Sequence, residues 1–589
     1  MKTSEKITLL RKQMQTEGVD AFVIFSADPH LSEYLPEEWL ERAWLSGFTG
    51  SAGFVVVTRD KAGLWTDSRY FVQAPIELKD SGITLFKEGV EGTPDYVDWL
   101  VSELPKGATV ALNALATSHL AWEKLHNVLK NNEIHLKNNP LLDKVWTNRP
   151  KSPLHPIFVH PDKWAGQTVN DKLEAIREKM RQQKADLHII TSLDDVAWTL
   201  NLRGSDVAYN PVFLGYVVLS KNDAILFVDK AKVTAEVENH LKKSGVAIKN
   251  YDDFFTYLSE VKKSSVLIAP NANQAIFNVL EKDNFIIKAP APGNLMKATK
   301  NATELEGFRI VMERDGVAMV KFLYWLTHRV GKEPMTEYSI GKKLRDFRAE
   351  GANFVGESFG SIVGYQGNGA IVHYSAPEEG SKEVFAKGSI LVDSGGQYLE
   401  GTTDITRTIP LGEVSQEFID DCTLVLKGMI QLAMVRFPKG TKGVQLDAFA
   451  RMPLWKHKKD YGHGTGHGVG SFMNVHEGPQ NIRKDMNPQE LLVGMVCSDE
   501  PGFYVENKYG IRHENLIAVQ EVQHNEFGTF YEFETLTLCP FMPNAINIHL
   551  LTDDEKQWLN NYHKTCQEKL APHLQGDIKQ WFLELVKPL

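Results

Sequence analysis

Near the amino terminus the apolar positions first follow a helical period and then the tighter alternation of a strand. LRKQMQTEGVDAFVIFS (10–26) reads as an amphipathic helix running into a short strand, and so does IREKMRQQKADLHIITS (176–192). The two segments match, ungapped, at a constant offset: Arg11, Met14, Asp20, Ile24, Ser26 and Asp28 recur as Arg177, Met180, Asp186, Ile190, Ser192 and Asp194. GFVVVTRDKAGLWTD (53–67) is then echoed by GYVVLSKNDAILFVD (215–229), each a pair of strands joined by a polar turn. Matching residues followed by a matching hairpin predict a duplicated α/β domain rather than two unrelated units of similar composition.

The pattern breaks twice. RPKSPLHPIFVHP (149–161) cannot continue a helix or a central strand. APAPGNLMKATKN (289–301) is an extended stretch that gives way to ATELEGFRIVMERDGVAMVKFLYWL, where Thr303 followed by Glu306 fits a capping box opening a long helix. Residues 350–540 then change texture, with Gly-rich turns, short strands and clustered His, Asp and Glu. From Leu551 the chain is helical again, with Trp558, Leu559 and Tyr562 on one face. The expected organisation is an α/β (α+β) protein: a first α/β domain over 1–157, a related second one over 158–298, and a third region over 299–589.

Composition narrows the function. With 65 Lys+Arg against 75 Asp+Glu in 589 residues there is no basic excess, so nucleic acid is not expected as a partner. No apolar run reaches the ~20 residues of a membrane helix, and the charged MKTSEKITLLRKQMQTEG does not read as a secretory signal. Four cysteines without CxxC spacing cannot staple the chain or build a zinc finger. The expectation is a soluble cytoplasmic protein.

Four segments of the third region carry metal-type side chains. In ILVDSGGQYLEGTTDITRT (390–408) a strand delivers Asp393 and a Gly-bearing turn returns the chain to Asp404, so that two carboxylates point into one space. YGHGTGHGVGSFMNVHEGP (461–479) supplies His463, His467 and His476, with glycines that let backbone approach closely. VCSDEPGFYVENKYGIRHENLIAV (496–519) supplies Glu500 before a Pro-Gly turn and Glu514 in a strand. IVHYSAP (371–377) supplies His373. Taken singly, such residues are solvated, capping or hydrogen-bonding groups in most proteins, and the glycines of 462–470 are a weak phosphate-loop signal with no following Lys-Ser/Thr. Together, four carboxylates and an imidazole beside glycines make a ligand set for hard-to-borderline divalent ions. Asp393, Asp404, Glu500 and Glu514 sum to −4, which two divalent cations balance and one does not. Two such ions ~3.5–4 Å apart hold a hydroxide between them and polarise a carbonyl.

These same motifs, DSGGQYLEGTTDITRT, GHGTGHGVGSF, NVHEGP and DEPGFY…GIRHEN, resemble the signature of the metal-dependent pita-bread peptidases. SGFTGSAG (46–53), WTDSRYFVQA (65–74), LNLRGSDVAYNPVF (200–213) and the tail TLTLCPF…LTDDEKQWLNNYH extend the resemblance over essentially the whole chain, to the aminopeptidase P (Xaa-Pro aminopeptidase) family of the long, three-domain cytosolic type. The resemblance implies two creatinase-like domains ahead of a pita-bread catalytic domain, and removal of the N-terminal residue from peptides with proline second. It implies that Asp393 chelates one ion, that Asp404 and Glu514 bridge the two, and that His467 and Glu500 complete the ligands of the second ion, with Glu500 also the general base. His373, His463 and His476 match non-ligand histidines that bind the substrate carbonyl or the proline side. Arg512 matches an arginine that supports the carboxylates and binds substrate. The implied cofactor is a pair of divalent ions, usually manganese, with Zn²⁺, Co²⁺ or Fe²⁺ able to use the same ligands. A homodimer is implied too, with Trp455 as a surface candidate and a core position as its alternative. Two other readings share the fold: an Xaa-Pro dipeptidase, with identical ligands but no duplicated domain, and a catalytically inactive peptide- or histone-binding protein, against which the full ligand set speaks. His513 stands where the family has an apolar residue, and strand alternation turns it away from the ligands.

Overall fold

The computed structural model describes residues 1–589. The helical period seen at the start becomes helix Thr3–Thr16, which buries Ile7, Leu10 and Met14 at i, i+3 and i+7. Its counterpart Val169–Gln182 buries Leu173, Ile176 and Met180 and opens on a capping box between Thr168 and Asp171. Each helix runs into the first strand of a six-stranded sheet.

The first sheet uses Ala21–Phe25, Phe54–Thr58, Ala62–Thr66, Thr84–Lys87, Thr109–Leu112 and His135–Asn138. The second uses Leu187–Ile190, Gly215–Ser220, Ala224–Val228, Val246–Lys249, Ser265–Ile268 and Phe285–Lys288. Numbered within each sheet, both run 4-3-2-1-5-6 in space. Strands 1–2 and 2–3 pair antiparallel, while 3–4, 1–5 and 5–6 pair parallel, identically in the two sheets. The antiparallel hairpin is the pair of strands echoed in the sequence. Residues Met1–His160 and Gln167–Gly293, carrying both sheets, form one compact unit. Buried polar contacts cross between the two copies: His30 Nδ1 meets Thr191 O and its Nε2 meets the Tyr251 hydroxyl, each at 2.8 Å.

The other unit is Asn294–Leu589 together with Pro161–Gly166. Its long helix, Ala302–Arg329, is capped two residues earlier than Thr303 suggested. The Asn301 side chain accepts from the N–H groups of Thr303 and Glu304, and Glu304 reaches back to the Asn301 N–H at 3.0 Å. Asn caps as well as Thr, and the true box residue is Glu304 rather than Glu306. A three-stranded sheet, Ile362–Tyr365, Ser389–Ser394 and Ile405–Pro410, has Ser389–Ser394 at its centre. A six-stranded sheet runs, in spatial order, Phe437–Pro438, Gly528–Thr535, Asn515–Asn525, Val496–Asp499, Gly466–Gly468, Glu477–Ile482. Helices Ala302–Arg329, Gln416–Ala433 and Gly443–Lys456 supply much of the packing, with Phe322, Leu326, Ile390, Val392, Ile409 and Val425 in one continuous core. The C-terminal helix Asp553–Leu570 docks through Leu559, Tyr562, Cys566 and Leu570. No helix is long and apolar enough to cross a membrane.

Candidate metal centre

The ligand candidates sit where strands end. Ser389–Ser394 carries Asp393 near its end, paired across the ladder with Thr406, and Asp404 lies one residue before the partner strand Ile405–Pro410. Glu500 follows strand Val496–Asp499, and Pro501 turns the chain into Gly502–Val505. Glu514 joins Tyr509–Arg512 to Asn515–Asn525 and is held by Thr406 on both counts: its N–H donates to Thr406 O at 3.1 Å, and its Oε2 accepts from Thr406 Oγ1 at 2.6 Å. His467, in the three-residue strand Gly466–Gly468, has its Nδ1 2.9 Å from Gly468 O. That bond makes Nδ1 the donor and leaves the Nε2 lone pair for a ligand. His467 Nε2 lies 3.4 Å from Asp404 Oδ2 and 3.6 Å from Glu500 Oε1.

One ligand atom each from Asp404, His467 and Glu514 falls within 4.8 Å of the others. That is about twice a ~2.0–2.3 Å ligand–metal bond, the spacing expected around a shared ion. Asp393, Asp404 and Glu514 are buried, and Asp393 Oδ1 has no hydrogen-bond partner. Burial pushes the Glu514 pKa well above the usual carboxylate range, and the charges of Asp404 and Asp393 push it further. Glu500 is lifted by burial to about 7, against the pull of His467 and Arg512. Asp393 is raised by burial despite the opposing Arg512 charge. One guanidinium and the His467 ring, whose pKa is lifted to about 9 against burial by Asp404 and Glu500, face four carboxylates, so without cations the cluster must hold protons to limit its own repulsion. Two divalent ions fit this donor set in charge, in ligand chemistry and in the oxygen left unpartnered.

Arg512 is buried among the carboxylates. It donates to Asp393 Oδ2 at 2.6 Å, to Thr406 Oγ1 at 3.2 Å and to the Tyr504 hydroxyl at 2.7 Å. Tyr504 in turn meets His463 Nε2 at 2.8 Å, so a hydrogen-bonded line runs from Asp393 through Arg512 and Tyr504 to His463. His476 stands edge-on to His467, ring centroids 4.3 Å apart. His373 lies between two anchored residues: Val372 O accepts from Arg512 at 3.4 Å, and the Tyr374 hydroxyl donates to Glu337 at 2.7 Å. His513 points away, its Nε2 3.1 Å from Cys422 Sγ and its ring against Phe541. Burial holds its pKa down at about 3, and it takes no part in the cluster.

Sequence reasoning missed the residues that brace these side chains. Glu337 accepts from the Tyr365 N–H at 2.7 Å as well as from Asn368 and Tyr374. Arg451, paired with Asp447, donates to His463 O at 2.8 Å. Tyr504, four residues after Glu500, carried no distinguishing signal of its own.

Residues 6–140 and 148–304 each match the creatinase/prolidase N-terminal domain, 306–521 match metallopeptidase family M24, and 529–589 match the C-terminal region of that peptidase. The chain is 40% identical to Xaa-Pro aminopeptidase 1 of Dictyostelium discoideum, over 100% of this chain and 96% of that protein. It is 39% identical to aminopeptidase P2 of Arabidopsis thaliana, over 99% of this chain and 88% of the relative. The crystal structure of X-prolyl aminopeptidase from Caenorhabditis elegans, described as a cytosolic enzyme with a di-nuclear active site, superposes with a TM-score of 0.96 at 35% identity and covers 100% of both chains.

Proposed function

We infer that this chain, which belongs to the Xaa-Pro aminopeptidase family of M24 metallopeptidases, removes the N-terminal residue from peptides with proline in the second position. The observation that carries the reading is the cluster of buried Asp393, Asp404 and Glu514 with half-buried Glu500 and His467, whose charges suit two divalent ions and whose Asp404, His467 and Glu514 ligand atoms are spaced for a shared ion. Bound there, the ions supply Lewis acidity that polarises a carbonyl and makes water nucleophilic at neutral pH. The carboxylate-rich shell favours manganese.

In our assignment Glu500 takes a proton from the attacking water and passes it to the proline nitrogen as the C–N bond breaks. His373, His463 and His476 receive the substrate carbonyl and the proline ring. Donors of His373 and His476 stabilise the oxyanion as the carbonyl becomes tetrahedral, while His463, its ring nitrogens meeting Gly464 O and the Tyr504 hydroxyl, lines the proline side. Arg512 holds Asp393, and through Tyr504 it orients His463. An X-Pro bond is a tertiary amide with no N–H, so a site that accepts the ring, and does not need that donor, selects it.

A direct test compares an Xaa-Pro-Xaa tripeptide with the matching Xaa-Pro dipeptide, with added Mn²⁺ and after chelation. The tripeptide is expected to lose its single N-terminal residue, at least ~10-fold faster in kcat/KM than an Xaa-Ala-Xaa analogue, the scale of a pocket that loses two or three methylenes of contact. Chelation or acetylation of the α-amine should stop the reaction. Cleavage of the dipeptide alone would make the protein a dipeptidase, and cleavage of the acetylated peptide would rule out an exopeptidase.

We also assign the protein to the cytoplasm, where its four unpaired, buried cysteines stay reduced. The homodimer is likewise our proposal. Phe449, Met452 and Trp455 are 41%, 38% and 45% exposed along helix Gly443–Lys456, which favours a surface over a core position for Trp455. Sedimentation should give a dimer for the wild type and a folded monomer for Trp455→Glu; a dimeric variant removes this face from consideration.

A further inference from the structure

One buried carboxylate outside the metal cluster adjoins a histidine of the site. Glu477 directly follows His476 and opens strand Glu477–Ile482. Its side chain is 0% exposed and meets two ammonium groups buried almost as deeply: Lys300 Nζ is paired with Oε1, and Lys297 Nζ stands 3.9 Å from Oε2. Removing three charges from water is costly, and apolar side chains of the same volume would often pack as stably, so what such a cluster offers is a fixed geometry.

The neighbours indicate which geometry. Gly468, next to His467, pairs with Glu477 at the point where the register between their strands shifts. A Cβ on Gly468 would stand 2.3 Å from Glu477 O, and one on Gly470 would stand 2.9 Å from Glu477 Oε2. Glycine at both places lets the His467 backbone close on Glu477, and the His467 and His476 rings then lie edge to face. The lysines are anchored on their own side. The Lys300 N–H donates to Gly494 O at 3.0 Å, and Thr299 bridges to Met495, at the entry to the strand that ends before Glu500.

We propose that Glu477, clamped by Lys300 and Lys297, is a positioning residue for the peptidase reaction: it sets His476 against His467 and so fixes how the proline side of the substrate is received. This rests on the reading of His476 as a substrate-side histidine, and the test separates the two claims. Glu477→Gln keeps the shape and removes the charge. In the full-length, metal-loaded enzyme it should retain two ions per chain, raise KM for Xaa-Pro-Xaa at least fivefold, and lower the Pro-to-Ala ratio of kcat/KM at least fivefold. Lys300→Met should reproduce this, and Lys300→Arg should restore part of it. In the metal-free protein, hydrogen exchange over 467–477 should quicken while helix Ala302–Arg329 is unchanged.

His476→Ala is the reference. If it leaves the Pro-to-Ala ratio unchanged, the role given to His476 falls, and the proposal with it. If it lowers the ratio while folded Glu477→Gln keeps wild-type KM, ratio and exchange, the positioning role alone is overturned. A loss of activity with KM and ratio unchanged would mean a purely structural residue and would also overturn it. Should Glu477→Gln fail to fold, Lys300→Met decides by the same readouts, since wild-type values there remove the clamp.

Discussion

The catalytic unit holds two sets of buried carboxylates, and they are treated in opposite ways. Glu337, Asp447 and Glu477 are supplied with partners: a backbone N–H, an amide and a phenol for the first, Arg451 and Thr465 for the second, a hydrogen-bonded Lys300 and the more distant Lys297 charge for the third. Asp393, Asp404, half-buried Glu500 and Glu514 share one guanidinium, the His467 ring and a few hydroxyls, and Asp393 Oδ1 has no hydrogen-bond partner. Both sets pay for burial, but only the first is repaid by protein groups. What marks the second set is charge that protein groups do not balance, since an unpartnered oxygen alone is no mark of a ligand: both oxygens of buried Asp499 and Oε2 of Glu477 also lack a hydrogen bond.

The sharpest way to break this contrast is to remove one member of the second set. Asp404→Ala should release at least one ion and abolish turnover, because in our assignment Asp404 would help hold both ions. Metal analysis beside an activity assay checks it, and retention of two ions with near-normal rates would sink the assignment. Glu337→Gln, a comparable loss from the first set, should keep both ions, since its partners are protein donors.

A smaller effect separates ligand from base within the second set. Glu500→Gln keeps the shape and a ligand oxygen but removes the proton acceptor. Substrate should still bind, while kcat falls by at least ~10²-fold, the usual lower scale for losing a general base. Single-turnover kinetics with a binding assay would show it. An unchanged kcat would place the base elsewhere.

The same contrast explains what could be read in the sequence. The second set stands in short glycine-rich motifs, because ligands at strand ends need close-approaching backbone beside them, and that leaves a local signature. The duplicated sheets were equally legible, since each copy repeats its helix, strand and hairpin in order. The braces were not. Glu337 acts on Tyr374, Lys300 on Glu477 and Tyr504 on His463, each across a span of chain with no local pattern. The anomaly at His513 was visible, yet its reason, a contact with Cys422 on helix Gln416–Ala433, belongs to the folded packing alone. The cap of the long helix is ambiguous in the sequence for a different reason, since Asn301 and Thr303 both have the chemistry and only backbone geometry chooses between them.

The mildest expected effect lies away from the cleft, where a buried base mirrors the buried acids. His563, on helix Asp553–Leu570, is enclosed, and its Nε2 accepts the Phe541 N–H at 3.1 Å, which requires a neutral ring. Burial, reinforced by the Arg407 charge, lowers its pKa to about 4, against about 6.5 for an unfolded chain. The folded value lies below the unfolded one. Above pH ~6.5 neither state takes a proton, and the stability is fully present; as pH falls toward 4 only the unfolded state is protonated, and stability is lost. Between pH 8 and pH 5.5 the two values correspond to a change on the order of 1 kcal/mol. His563→Gln keeps an acceptor for Phe541 and removes the titration. Urea unfolding of wild type and variant, both metal-loaded so that acid effects on the ligands are shared, should show the difference between them moving by about that amount in favour of the variant on acidification. Parallel pH profiles would mean that the ring does not carry this proton linkage, and that the C-terminal helix is held by its apolar face alone.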